Sequence, residues 1–143
     1  MTAIDGRQGQ GAHSPVPRSA SSVPAAGLPD YAELRCVSTF SFLVGASQPE
    51  ELVERAHKQG YCALALTDEC SVAGVVRAHV ARKDLGAAGD SLQLLIGAHF
   101  VVDGHTLVLI ARSRRGYGDL CAFITQARRR CEKGRYRVEL TEI

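Results

Sequence analysis

Apolar and polar positions follow different rhythms along this chain, and each rhythm predicts an element. Residues 31–37 read as a short strand. Over residues 38–43, Phe40 and Phe42 are interleaved with polar residues. That alternation predicts an extended segment with one buried face, and Gly45 then permits a turn. A helix follows from Ser47. Leu52, Val53 and Ala56 form its apolar stripe, while Glu51, Glu54, Arg55 and Lys58 face water. Ser47 and Glu50 have the spacing of a capping box, Pro49 suits a first helical turn, and Gly60 suits the C-terminal cap. Residues 61–66 are almost continuously apolar, as in a strand covered on both faces. They run into Thr67-Asp68-Glu69. Ser71 is placed to cap a second helix over 72–85, closed by Gly86. Two strands are predicted at 92–96 and 100–102. Asp103-Gly104 signals a hairpin whose return strand runs over 105–111. A third helix is predicted over 117–131, with Leu120, Phe123, Ile124 and Ala127 on one face. Arg128, Arg129 and Arg130 sit at its negative end. A last strand is predicted over 136–140.

Strands alternating with helices predict an α/β fold built on a mainly parallel sheet with outer helices. In such folds functional groups gather at the carboxyl ends of the strands. Val37-Ser38, Thr67-Asp68-Glu69 and Gly97-Ala98-His99 fall at three such ends.

Composition adds limits. The chain has 143 residues and is 45% apolar, 22% charged and without tryptophan, which fits one globular domain. Residues 1–28 differ: eleven are Ser, Pro or Gly and five more are Ala, with no aromatic. They predict a disordered low-complexity tail, because such a segment cannot bury enough apolar surface to offset its ordering entropy. The domain is therefore expected over 29–143. No apolar stretch nears the roughly 20 residues of a bilayer helix, so no membrane partner is expected. The five cysteines are odd in number, form no Cys-x-x-Cys pair and follow no secretory signal. That usage fits a reducing cytoplasm and argues against a disulfide framework or a zinc site built on cysteine. The net charge of +2 hides an asymmetry. Between Arg112 and Arg137 there are nine basic and two acidic residues. Such a run is usually a solvated helix face. It also has the sign for nucleic-acid phosphates, through Arg128, Arg129, Arg130 and Lys133. No nucleophile elbow or phosphate-cradling glycine loop is present.

Three segments together resemble a known family. They are YAELRCVSTFSFLVGAS from Tyr31, ALALTDECSVAGVVRAH from Ala63 and LLIGAHF from Leu94. GYGDLC from Gly116 and ARRRCEKG from Ala127 continue the likeness. The set resembles the PHP (polymerase and histidinol phosphatase) domain at the N-terminus of bacterial C-family DNA polymerases, most nearly the error-prone, DnaE-type branch. The likeness spans residues 29–143. It implies a distorted, TIM-like barrel whose strand ends hold a cluster of divalent metal ions, and phosphoester hydrolysis in active members. It also implies a DNA-directed DNA polymerase whose synthetic domains, the expected partners, lie far downstream. The sequence is expected to be a truncated, incomplete barrel, inactive by itself and prone to self-association through unpaired sheet edges.

The resemblance also locates a metal site, and the residues depart from it. PHP metal enzymes carry His-x-His on the first strand, where this chain has Arg35 and Val37. A histidine usual after the second-motif aspartate is Glu69 here, and His99 stands where a glutamate is usual. Asp68, Glu69 and His99 are thus the residues of a vestigial site, with zinc or manganese as the metal if any binds. Arg35 is a permanent cation and a poor ligand. It is expected to replace the metal by pairing with Asp68 and Glu69. The leading expectation is therefore a polymerase PHP domain with a degenerate metal site. The alternatives are a metal-dependent PHP phosphoesterase and a nucleic-acid-binding module working through the basic C-terminal stretch.

Overall fold

The computed structural model describes residues 31–142. The tail expected at 1–28 lies outside the described residues. The order is β1 (Ala32–Cys36), α1 (Pro49–Lys58), β2 (Ala63–Leu66), α2 (Val75–Asp84), a 3-10 segment (Gly86–Ser91), β3 (Gln93–Val102), β4 (His105–Ile110), α3 (Arg114–Arg129) and a 3-10 turn at Leu140–Glu142. The four strands form one sheet in the order β1-β2-β3-β4. β1, β2 and β3 are parallel, and β4 is antiparallel to β3. This is a mostly parallel half-barrel with helices outside, as the α/β reading expects.

Strand parity explains where the helices sit. Leu92, Leu94 and Ile96 pack with Val53 and Ala56 of α1 and with Val75 and Ala78 of α2. Ala98, Phe100 and Val102 pack with Leu120, Ile124 and Ala127 of α3. The five of these in β3, and Leu92 just before it, are all even-numbered, so all three helices cover one face of the sheet. β3 is one continuous strand where two were expected. Its odd residues, among them Gly97 and His99, line the other face. Gly97 is needed there: a Cβ would come within 2.6 Å of the Leu109 carbonyl oxygen. Asp103 and Gly104 both have positive φ, 49° and 78°, which makes the expected hairpin turn.

Four expectations need correction. The α1 cap lies one residue later than Ser47 and Glu50. The Gln48 amide donates to Glu51 Oε2 at 2.8 Å, and Pro49 is the first helical residue. Ser47 is occupied elsewhere, since its carbonyl accepts the Thr39 amide at 2.9 Å and closes the loop before the helix. The segment 38–43 is a tight turn, not an extended strand, and its polarity is inverted. Ser38 and Ser41 are buried while Phe42 is 84% exposed. Ser71 does not start α2; its hydroxyl accepts the Ala73 amide in a local turn, and the helix begins at Val75. Finally, no strand forms over 136–140. The Arg137 amide donates to the Ala127 carbonyl at the end of α3, and Tyr136 and Val138 pack on the β3–α3 core. That core claims them before a sheet edge can.

Candidate functional site at the strand ends

The carboxyl ends of β1 and β2 meet the middle of β3 through backbone hydrogen bonds; His99, expected at a strand end, lies inside β3, which runs on to Val102. The Thr67 amide donates to the Cys36 carbonyl at 2.8 Å, His99 to Asp68 at 3.2 Å and Cys70 to His99 at 2.8 Å. These bonds extend the parallel register past Leu66 and bring Ser38, Asp68, Glu69 and His99 to one end of the sheet.

Asp68 is the centre of this end. It is 1% exposed, and a buried carboxylate must have its lone pairs met. Oδ1 accepts the Ser38 amide at 2.7 Å and the Ser41 hydroxyl at 2.9 Å, and Oδ2 accepts the Ser38 hydroxyl at 2.7 Å. The Ser41 hydroxyl also accepts the Glu69 amide at 2.8 Å, so it clamps both sides of the cluster. The turn that delivers both serines has no room to spare. A Cβ on Gly45 would lie 1.9 Å from the Ser38 carbonyl oxygen. Gly74, before α2, lies against Asp68 itself, with a Cβ position 3.2 Å from Oδ2.

Glu69 is held apart from Asp68 by a different partner. Its Oε1 accepts the Tyr136 hydroxyl at 2.8 Å, and the Tyr136 oxygen accepts the Val101 amide at 2.9 Å. Burial, reinforced by the Glu69 carboxylate, pushes the Tyr136 phenol up to about 12. His99 is 3% exposed, with Nδ1 2.7 Å from the Thr67 carbonyl oxygen. A carbonyl only accepts, so Nδ1 is the donor in this contact. Cys36 and Cys70 lie alongside. Burial raises both thiols, Cys36 to about 11, which leaves neither with appreciable thiolate at neutral pH. All five cysteines are free.

Arg35 does not take the place expected of it. A β-bulge between Glu33 and Cys36 sets Leu34 and Arg35 opposite the single residue Ala65. The Arg35 side chain is exposed, and it has no ion pair among the described residues. The two serines, not a guanidinium, satisfy Asp68. The basic run is divided too. Arg128 donates through Nε to the Cys70 carbonyl at 2.9 Å and through Nη2 to the Glu69 carbonyl at 3.4 Å. Arg130 pairs with Glu142. Arg129 and Lys133 remain exposed and outside the described ion pairs. Sequence reasoning placed Ser38 at a strand end without giving it a role, and it missed Ser41 and Tyr136. The signal available for the serines was a strand-end aspartate in a near-continuous apolar run, which has to find donors somewhere.

A family model described as the PHP domain matches residues 33–142. The chain belongs to the PHP domain family. Among curated proteins, the chain is 57% identical over 117 residues to an error-prone DNA polymerase of Dechloromonas aromatica, covering 81% of this chain and 11% of that protein. The error-prone DNA polymerase of Ralstonia nicotianae is 58% identical over 118 residues, 78% of this chain and 10% of that protein. That of Methylococcus capsulatus is 59% identical over 109 residues, 76% and 10% respectively. The chain thus spans about a tenth of the length of these relatives. A protein from Bifidobacterium adolescentis named as a metal-dependent phosphoesterase shares the fold, with a TM-score of 0.50 and 24% identity over 70% of this chain and 34% of that one.

PHP domains raise the question of a divalent metal. The donor set here does not fit one. Both Asp68 oxygens already accept hydrogen bonds from Ser38 and Ser41, and Glu69 Oε1 is turned away to Tyr136. Among the described residues no three His, Cys, Asp or Glu side chains come together as a metal would need. No described helix is long and apolar enough to cross a membrane.

Proposed function

We propose that this PHP domain is the N-terminal portion of an error-prone DNA polymerase, the class of enzyme that synthesises DNA across damage during repair. Within it, the domain serves as a scaffold and has no hydrolytic centre of its own. The identity of 57–59% to three error-prone DNA polymerases supports the first half. One observation carries the second: the Asp68 carboxylate is held by three hydrogen bonds from Ser38 and Ser41. Metal-dependent hydrolysis needs several ligands converging on one point with a water position left open. Here the aspartate instead ties the β1 turn to the β2 end, so its work is structural.

Metal analysis tests the second half. After dialysis against manganese or zinc, the purified chain is expected to retain less than a stoichiometric ion and to show no turnover of a chromogenic phosphoester. A stoichiometric divalent ion that is lost in Asp68→Ala, or metal-dependent turnover, overturns the scaffold reading and establishes the phosphoesterase. The downstream DNA tests the first half: a polymerase reading frame is expected, and unrelated sequence counts against it.

A further inference from the structure

The side of α3 that faces away from the core is basic. Leu120, Ile124 and Ala127 are the buried residues of this helix. A helix turns about 100° per residue, so the line opposite them runs through Gly118, Ala122, Thr125 and Arg129. Arg114 and Arg115 flank that line at the first turn, and every one of these residues is exposed. None of the three arginines is in an ion pair among the described residues. Asp119, the only acidic residue of the helix, lies about 80° round from the line. A shallow groove of about 440 Å³ follows it, lined by Ala122, Thr125, Gln126, Arg129 and Arg130. Of the four basic residues singled out in the sequence, Arg129 alone belongs to this face as a free cation. Arg128 is bonded to the Cys70 carbonyl, Arg130 pairs with Glu142, and Lys133 stands next to Glu132. The exposure does not depend on how far the sheet extends. Further strands would add beside β1 or β4, whereas this face points away from the sheet.

Two features say what this face accepts. Arg114 and Arg115 occupy the first turn, which has no acidic residue. The backbone amides leave a partial positive charge there, so cations weaken the helix. α1 shows the ordinary arrangement, with Glu50 and Glu51 in its first turn. A placement that works against the helix is accounted for by an anion held at it. The second feature is that the line between the arginines carries no apolar side chain larger than alanine. Protein interfaces draw their affinity from aromatic and aliphatic anchors, and surfaces for single-stranded nucleic acid from stacked aromatics. Neither kind of group is present, whereas contact with a duplex backbone needs only cations and close approach. Arg115 and Arg129 stand about 21 Å apart along one helix axis, a stiff row that suits a stiff duplex. We propose that the outward face of α3 holds backbone phosphates of a nucleic-acid duplex, without base preference, through Arg114, Arg115 and Arg129. The guanidinium forks bind phosphate oxygens, and Gly118 and Ala122 let the helix come close. The Asp68 cluster is bonded to none of these arginines, so this proposal stands or falls apart from the scaffold reading.

The test is a fluorescence-anisotropy titration of the full chain against a labelled, mixed-sequence DNA duplex of about 20 base pairs, repeated over a range of salt. Three phosphate contacts predict a slope of about −2.7 in log affinity against log salt, a fall of about fortyfold between about 50 and 200 mM. Arg129→Gln is expected to reduce the slope to about −1.8, and Arg129→Lys to keep it at about −2.7. The triple variant Arg114→Gln, Arg115→Gln, Arg129→Gln is expected to lose measurable binding. Its melting temperature should stay level or rise, since two cations leave the positive helix end. Should that variant unfold, Arg129→Gln against Arg129→Lys decides alone. Arg55→Gln, on the exposed side of α1, makes the same change in net charge as Arg129→Gln and is expected to keep its affinity within about twofold. Four results overturn the proposal. They are no salt-dependent binding by the parent chain, an unchanged slope in Arg129→Gln, an equal loss in Arg55→Gln, and tighter binding of oligothymidylate or polyglutamate than of the duplex. The last would assign the face to a single strand or to an acidic protein.

Discussion

Replacing Ser41 by alanine removes one hydroxyl that works twice. It is 2% exposed, donates to Asp68 Oδ1 at 2.9 Å and accepts the Glu69 amide at 2.8 Å. A hydrogen bond to a charged group contributes about 1.5–3 kcal/mol, and an orphaned buried amide costs about 1–3 kcal/mol. The two are partly shared through one atom and partly relieved by water, so about 3 kcal/mol is the expected loss. With a urea slope of about 1.5 kcal/mol/M, the unfolding midpoint should fall by about 2 M. Chemical unfolding followed by circular dichroism reads this directly. A cycle with Asp68→Asn should show coupling of about 1.5–3 kcal/mol, since the serine contribution depends on the carboxylate charge. A midpoint change below about 0.3 M, the behaviour of an exposed serine, would refute the clamp. So would full additivity with Asp68→Asn.

Three further outcomes follow from the same geometry. Tyr136 has its phenol raised to about 12 by burial, above the ordinary value of 10.0. Its neutral form therefore stabilises the fold fully below about pH 10, and that contribution is lost as pH rises toward 12. In an absorbance titration of tyrosinate one step should appear near 12, and it should vanish in Tyr136→Phe. Arg128→Ala should cost about 1.5–3 kcal/mol, because it strips a charged donor from the Cys70 and Glu69 carbonyls. Arg129→Ala, one residue on and exposed, should stay within about 0.5 kcal/mol in thermal unfolding. Gly45→Ala should destabilise by about 3 kcal/mol or more, since its Cβ would meet the Ser38 backbone at 1.9 Å. A normal melting curve for that variant would mean the 38–47 turn differs from the one described.

Much of the frame was legible before any coordinates. Continuous apolar runs gave β2 and the core of β3, the Asp103-Gly104 pair gave the hairpin, and the stripe of Leu120, Ile124 and Ala127 gave α3. These are local properties: alternation, helical spacing and turn chemistry act over a few residues and survive into the fold. Asp68, Glu69 and His99 also stood out as expected strand ends in an α/β order, although β3 continues past His99 to Val102. Their use was not legible. Ser38 and Ser41 look like the outer positions of an amphipathic strand, and their inversion follows from a buried carboxylate thirty and twenty-seven residues away. Arg35 looks close to Asp68 in the pattern of motifs, yet one extra residue in β1 shifts the register and leaves it in solvent.

The amino-acid order by itself therefore determined the elements, their sequence and the strand ends at which chemistry would gather. Tertiary structure alone decided which donors meet which acceptors. The reason is physical: propensity and periodicity are short-range, but a buried charge is settled by whatever polar group the whole chain brings within hydrogen-bond distance. That long-range requirement placed two serines on Asp68, a tyrosine on Glu69 and an arginine on the Cys70 carbonyl, and so made the strand ends a hydrogen-bonded clasp.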